Sequence, residues 1–321
     1  MFAAATLVGS LGLAFAPPAD AKTIKIGISM LTQNAPYYAA LQSAIEKEAK
    51  ALGATTIAAD ANNDLVKQIA DVEDMLSQNI DILVMDPKDA KGLVGATKDA
   101  AKAHVPVIIV DSSIDESAPV LTTIQSSNAE NGRLIGDWLV GQVKGKDLHI
   151  AVLSGSQGNV VGEARRDGVM EGILEAQLRQ LGHAGFTVVG QGWGGWTQEG
   201  GVKAMEDLLT AHADINAVLA ENDSMALGAL RAIQDAGKAG QDILVFAAAD
   251  GQKEAVKLIQ DGKYGATGLN DPAVIGKMAA DLAVKAANKQ VPADLAKITY
   301  TPPMAITKAN AAQYYKPDAL F

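Results

Sequence analysis

Short apolar runs alternate with longer amphipathic stretches along almost the whole chain. Runs at 24–29, 55–59, 80–85, 105–110, 122–125, 149–153, 186–189, 217–220, 243–248 and 264–267 have the length of strands, and most are apolar throughout. Such runs suit parallel strands buried on both faces. Between most of them, 37–52, 64–78, 90–103, 129–143, 163–181, 197–211, 224–236 and 272–288 carry a helical period. Strand–helix alternation of this kind predicts βαβ units, and right-handed crossovers turn these into doubly wound sheets. The units fall into two similar sets, before and after residue 126. The pattern therefore predicts an α/β protein with two similar doubly wound parallel-sheet domains, as 321 residues exceed what one core usually organises. Lys144-Gly145-Lys146-Asp147 and Lys238-Ala239-Gly240-Gln241 read as polar turns before strands.

The first residues break this rhythm. Ala3 to Ala16 form an apolar run, followed by two prolines and by Ala19-Asp20-Ala21 ahead of Lys22. An apolar core with an A-x-A cleavage site predicts an export leader over residues 1–21, although no Lys or Arg precedes the run. The run is too short to span a bilayer. A formal charge of −10 argues against nucleic acid and anionic membranes as partners. The absence of cysteine excludes disulfides, zinc–thiolate centres, iron–sulfur clusters and a cysteine nucleophile.

Candidate chemistry gathers at the strand ends. In an open parallel sheet, ligands bind beyond the carboxyl ends of the strands. Apolar runs here close on Ser29, Asp86, Asp111, the pair Asn222 and Asp223, and Asp250. A carboxylate accepts two hydroxyls, and an Asn amide offers one donor and one acceptor group, which suits a sugar or polyol. Tyr37, Tyr38, Trp193 and Trp196 stand in loops or helix starts where a ring can lie on the C–H face of a sugar. Each polar residue also has a structural reading as the cap of the next helix. Asp86 precedes Pro87 and reads as a turn opener, and Asp223 reads as a cap. Trp138 falls mid-helix, where packing is its expected role. Trp196, beside Gly194 and Gly195, is hard to place in a core.

Other motifs fail. Gly190 to Gly195 matches G-x-G-x-x-G, but the indole of Trp193 would crowd an approaching pyrophosphate. No P-loop is present. His104, His149, His183 and His212 are dispersed, without metal-ligand spacing or a triad pattern. Leu153 to Gly158 lacks the spacing of a nucleophile elbow. No cofactor and no catalytic constellation is implied.

Ala220-Glu221-Asn222-Asp223-Ser224-Met225-Ala226-Leu227-Gly228-Ala229-Leu230-Arg231 closely resembles the ribose-binding branch of the periplasmic sugar-binding proteins. So do Ile28-Ser29 with Pro36-Tyr37-Tyr38, Val105 to Ile108 before Asp111, and Leu208 to His212. The likeness runs over about residues 22–310. It implies a type I periplasmic binding protein: two lobes joined by a three-segment hinge near residues 126, 270 and 300. The N-terminal lobe would take 22–126 plus 271–299, and the C-terminal lobe 127–270 plus 300–321. By the same resemblance, ligand contacts fall on Ser29, Tyr37, Tyr38, Asp111, Arg165, Trp196, Asn222, Asp250 and the hinge residue Asn270. Ser112 stands where ribose binders carry an arginine, Ala249 replaces an aromatic, Ala35 replaces an asparagine, and the 32–35 loop is longer. These departures turn the expectation from ribose itself towards another pentose, a hexose, a furanose or a polyol.

The expected protein is a non-enzymatic, monomeric, periplasmic solute-binding component that delivers its ligand to the membrane permease of an ABC transporter and can also serve a chemoreceptor. The alternatives are the sensing core of a sugar-responsive regulator and a binder of a furanone signal.

Overall fold

The computed structural model describes residues 23–238 and 242–321. The predicted export leader and most of the polar turn at 238–241 lie outside the described residues. In chain order the elements begin with β1 (Lys25–Met30), α1 (Pro36–Ala51), β2 (Thr55–Asp60), α2 (Leu65–Ser77), β3 (Ile82–Met85), α3 (Val94–Lys102), β4 (Val107–Val110) and β5 (Thr122–Ser126). There follow α4 (Asn128–Val143), β6 (His149–Ser154), α5 (Val160–Leu181), β7 (Thr187–Trp193), α6 (Gln198–Ala211), β8 (Ala217–Ala220), α7 (Asp223–Asp235) and β9 (Leu244–Asp250). The last are α8 (Lys253–Gln260), β10 (Thr267–Leu269), α9 (Pro272–Ala287), β11 (Ile298–Thr301), β12 (Ala305–Ile306) and α10 (Ala311–Tyr314).

The strands form two six-stranded sheets. The first has the order β11-β5-β4-β3-β1-β2 and its pairings are parallel. The second has the order β12-β10-β9-β8-β6-β7, and only its edge strand β12 runs antiparallel. The chain passes between the sheets three times: from β5 to α4, from β10 to α9 and from β11 to β12. After the first passage α4 packs on β9 and β10, and after the second α9 packs on α1 and on β3 to β5.

Each sheet is covered on both faces, as the unbroken apolar strands require. Ile82 and Val84 of β3 join Ile26, Ile28, Ile108, Val110 and Ile124 beneath α1 and α9. The alternating Leu83 and Met85 join Val107 and Ile109 on the opposite face, with Val72 and Met75 of α2. The second sheet repeats the scheme: Val218 and Ala220 face one cluster, and Ala217 and Leu219 the other. Trp138 packs edge-on against Phe246 there, at 6.1 Å between ring centroids.

Helix starts follow local side-chain chemistry. Asp64 accepts from the N–H groups of Val66 and Lys67 at 2.8 and 3.1 Å, Asn159 from Gly162 at 3.0 Å, and Asp271 from Ala273 at 2.9 Å. The helix expected at 90–103 starts late, at Val94, because Asp89 binds the N–H groups of Lys91 and Gly92 and holds that stretch as a turn. β11, β12, α8 and α10 are additions to the sequence reading. β11 is a four-residue edge strand ahead of Pro302 and Pro303, and the other three are two to eight residues long.

One helix pair is unusually close. Gly132 and Gly136 of α4 face Gly168 and Gly172 of α5. A Cβ on any of the four would stand 2.2–2.5 Å from a carbonyl oxygen of the other helix. The two helices therefore meet main chain to main chain.

Candidate functional site

The carboxyl ends of both sheets face one another, and polar side chains fill the space between them. From the first sheet comes Asp111, immediately after β4, held in a left-handed backbone conformation with φ of 58°. A non-glycine residue in that region is strained, and such strain gathers at ligand sites. From the first turn of α1 comes Tyr37, whose hydroxyl donates to the Asp111 carboxylate at 2.6 Å and lies 3.1 Å from Asn270 Oδ1. Tyr38 packs edge-on against Tyr37 at 5.5 Å. Burial, followed by the field of Asp111, raises the Tyr37 phenol well above its ordinary value, so it stays a donor.

From the second sheet come Asp250, at the end of β9, and Arg165, one turn into α5. Arg165 Nη1 lies 3.0 Å from Asp250 Oδ1. Its Nε donates to Asn128 at 2.8 Å, and its Nη1 donates to the Glu221 carbonyl at 3.1 Å. Asn128 opens α4, and the glycine seam brings that helix within reach of α5. Asn270 stands between the sheets. Its Nδ2 lies 3.4 Å from both Asp111 Oδ1 and Asp250 Oδ1, and its N–H donates to the Asp250 carbonyl at 2.7 Å.

The Asp250 carboxyl is pushed up to about 6 by burial, with Asp223 and Asp111 adding to the rise and Arg165 opposing it. Burial alone would lower the Arg165 guanidinium, but Asp250 and Asp111 outweigh it and the net shift is upward. The cleft thus holds a fixed cation among acids.

Trp196 supplies the flat apolar surface. It sits in a left-handed backbone conformation after Gly195, and its ring lies on Gly155 and Gly162. A Cβ on Gly155 would come 1.9 Å from the indole, so only glycine lets the ring lie there. The Arg165 guanidinium carbon is 5.8 Å from the ring centroid, a cation–π distance.

Seven of the nine residues singled out from the sequence are thus brought into contact with one another. The other two are also engaged by neighbours. Asn222 Oδ1 caps α7 through the Met225 N–H at 3.1 Å, and its Nδ2 donates to the Trp196 carbonyl at 3.2 Å. The cap reading of Asn222 is therefore met, and its amide also holds the loop of Trp196. The Ser29 hydroxyl is buried and lies 3.2 Å from Gln68 Nε2. Trp193 is not in this group; it ends β7 with its side chain exposed. Gly190 and Gly192 lie inside the same strand, so the G-x-G-x-x-G match forms no phosphate turn.

Three acidic residues do more than the sequence reading gave them. Asp223 is not a side-chain cap of α7. One of its oxygens accepts from the N–H groups of Asp250, Gly251 and Gln252 at 3.2, 2.8 and 2.8 Å, and the other from Tyr264 at 2.7 Å. It fixes the loop that presents Asp250. Glu221 accepts from the Gly155 N–H at 2.8 Å and from Arg166 at 2.6 Å, so it fixes the loop beneath Trp196. Asp86 is fully buried with no hydrogen bond to either carboxylate oxygen among the described residues. Burial and then Asp111 drive its proton affinity well above the ordinary carboxylate range, and nearby Ser112, outside hydrogen-bonding geometry, only moderates the rise. Among the described residues no group of three or more His, Cys, Asp or Glu could hold a metal ion, and no helix is long and apolar enough to cross a membrane.

This geometry has relatives. The model of a periplasmic binding protein domain matches residues 26–290. The ribose import binding protein of Bacillus subtilis (strain 168) is 37% identical over 262 residues, covering 82% of this chain and 81% of its own. An ABC transporter solute-binding protein from Mycobacterium smegmatis, solved with bound glycerol, is 32% identical with a TM-score of 0.83, covering 92% of this chain and 98% of its own. One from Bacillus halodurans C-125, solved with bound myo-inositol, is 27% identical with a TM-score of 0.81, covering 93% and 99%.

Proposed function

The chain belongs to the periplasmic binding protein family, and from that premise we propose that it captures a monosaccharide or polyol between its two lobes and hands it to an ABC importer. The observation that carries this reading is the meeting of Asp111 from one sheet with Asp250 and Arg165 from the other, through Asn270. Acceptors, an amide and a guanidinium converge there beside Trp196, with no nucleophile–base pair among them. Such a set recognises hydroxyls, which supports a role in binding. Its relatives include proteins named or solved with ribose, glycerol and myo-inositol.

The lobes divide at the three passages between sheets. Residues 23–126 with 271–301 form one, and 127–238 and 242–270 with 302–321 the other; the expected boundary after residue 299 moves to Thr301 because β11 pairs with β5 through that residue. Hinge motion at these passages would open the cleft, and a ligand touching both lobes favours the closed form by its differential affinity. The importer reads that closed form. Export with removal of residues 1–21, a monomeric state and docking to a chemoreceptor belong to the same proposal.

The test is a thermal-shift screen of the purified protein against pentoses, hexoses, polyols and inositols, followed by calorimetry. A ligand that binds only the folded state raises its apparent stability. Asp111→Ala and Asn222→Ala should each weaken binding of the hit by about 1–3 kcal/mol. Unchanged affinity in both variants would remove the site.

A further inference from the structure

The acids at the first sheet's edge and its partners across the cleft are not equivalent. Asp111 accepts from Tyr37, and Asp250 pairs with Arg165. Among the described residues no donor meets the carboxylate of Asp86 in hydrogen-bonding geometry, with Ser112 near enough only to ease its proton affinity, although the rest of the residue is fixed. Its N–H donates to the Ser29 carbonyl at 2.9 Å, and its own carbonyl accepts from Gln68 Nε2 at 2.8 Å. Pro87 holds it extended. It follows β3 directly, between the ends of β1 and β4, at the edge where open parallel sheets bind ligands. Its charge reaches both Tyr38 and Asp111, two residues of the cleft.

A turn opener does not need this arrangement. Asparagine has the same shape and would avoid burying a carboxyl whose ionisation the surroundings oppose. Nor does any cation among the described residues act on it. Arg165 is committed to Asp250, Asn128 and the Glu221 carbonyl, and Arg166 to Glu221. A buried acceptor left open at a ligand-binding edge is the complement of a donor arriving from outside.

We propose that Asp86 is a specificity-determining ligand contact, whose carboxylate takes an N–H or O–H donor from the bound molecule and so selects ligands carrying an amine or a further hydroxyl towards β3. This rests on the reading of the cleft as a site for polyhydroxylated ligands. An ammonium group would both bond and neutralise the carboxylate. A hydroxyl would bond it and leave the charge.

The experiment compares the wild type with Asp86→Asn and Asp86→Ala by calorimetry. D-ribose, D-galactose and myo-inositol serve as neutral probes, and D-glucosamine and D-galactosamine as amine probes. Asp86→Asn should weaken the binding probe roughly 10- to 100-fold, the range for a hydrogen bond to a charged group. The same variant should raise the ligand-free melting temperature at neutral pH, because a carboxyl that ionises freely in the unfolded chain but is opposed by burial in the fold has gone. A merely structural role predicts the rise in melting temperature without the loss of affinity. Loss concentrated on the amine probes assigns an ammonium partner, and loss on the neutral probes assigns a hydroxyl. Wild-type affinity in both variants for every probe that binds would overturn the role of Asp86 and leave the binding reading intact. If no probe binds the wild type, the binding reading and this inference fall together.

Discussion

The two sheets meet the cleft with opposite degrees of preparation. At the edge of the second sheet the polar groups are tied down: Asp223 holds the loop of Asp250 through three N–H groups, Glu221 holds Gly155, and Arg165 is held by Asn128 and Asp250. At the edge of the first sheet, among the described residues, Asp86 has no carboxylate partner in hydrogen-bonding geometry, and Asp111 is bonded by groups from α1 and from the passage between sheets. Both edges arise from the same βαβ logic, so the difference lies in the side chains. One lobe is built as a rigid template, and the other keeps its acceptors available.

Three experiments would break or sharpen this contrast. The largest effect is expected from Asp223→Ala. Removing the carboxylate strands three N–H donors and the Tyr264 hydroxyl in a buried loop, at a cost of about 3–5 kcal/mol. Urea denaturation of the ligand-free protein measures it; a loss below about 1 kcal/mol would mean that the loop does not depend on Asp223.

Next is the pH dependence carried by Asp250. Its carboxyl holds a proton up to about 6 in the folded protein, above the ordinary carboxylate value. The stabilisation is therefore complete below about pH 4 and is lost as pH rises through about 6, and a gap of about two units corresponds to about 3 kcal/mol. Relative to Asp250→Asn, the wild type should lose stability across that window. Parallel stability curves for the two proteins would contradict the shift.

The smallest of the three effects tests the template itself. Gly155→Ala should displace the Trp196 ring, cost about 1–3 kcal/mol of stability and weaken the ligand found in the screen. If the variant binds as tightly as the wild type, the ring is not part of the site.

Much of this architecture was legible in the chain because parallel strands announce themselves. An apolar run that stops at a polar residue marks both a strand and its carboxyl end, which is how Asp111 and Asp250 stand out. The tyrosines and Trp196 stand out because rings in loops have no core to enter. The second edge's internal bonding was not legible. Glu221 and Gly155 are 66 residues apart, and Asp223 reaches N–H groups 27 to 29 residues away. No local period encodes such pairs. Asp223 read as a cap because it follows a strand, and its real partners appear only when β8 and β9 lie side by side. Asp86 was only partly legible for a related reason. The Asp-Pro pair does constrain the backbone, but a turn signal says nothing about where the carboxylate points.

The glycine seam between α4 and α5 bears on how mutational scans of this protein should be interpreted. Gly132, Gly136, Gly168 and Gly172 touch no cleft group through a side chain, yet they set the spacing that lets Asn128 reach Arg165. Alanine at any of them would change affinity by moving a helix, and a survey ranking positions by lost binding would count them among the contacts. Libraries meant to retune the cleft are best built with these four positions held constant.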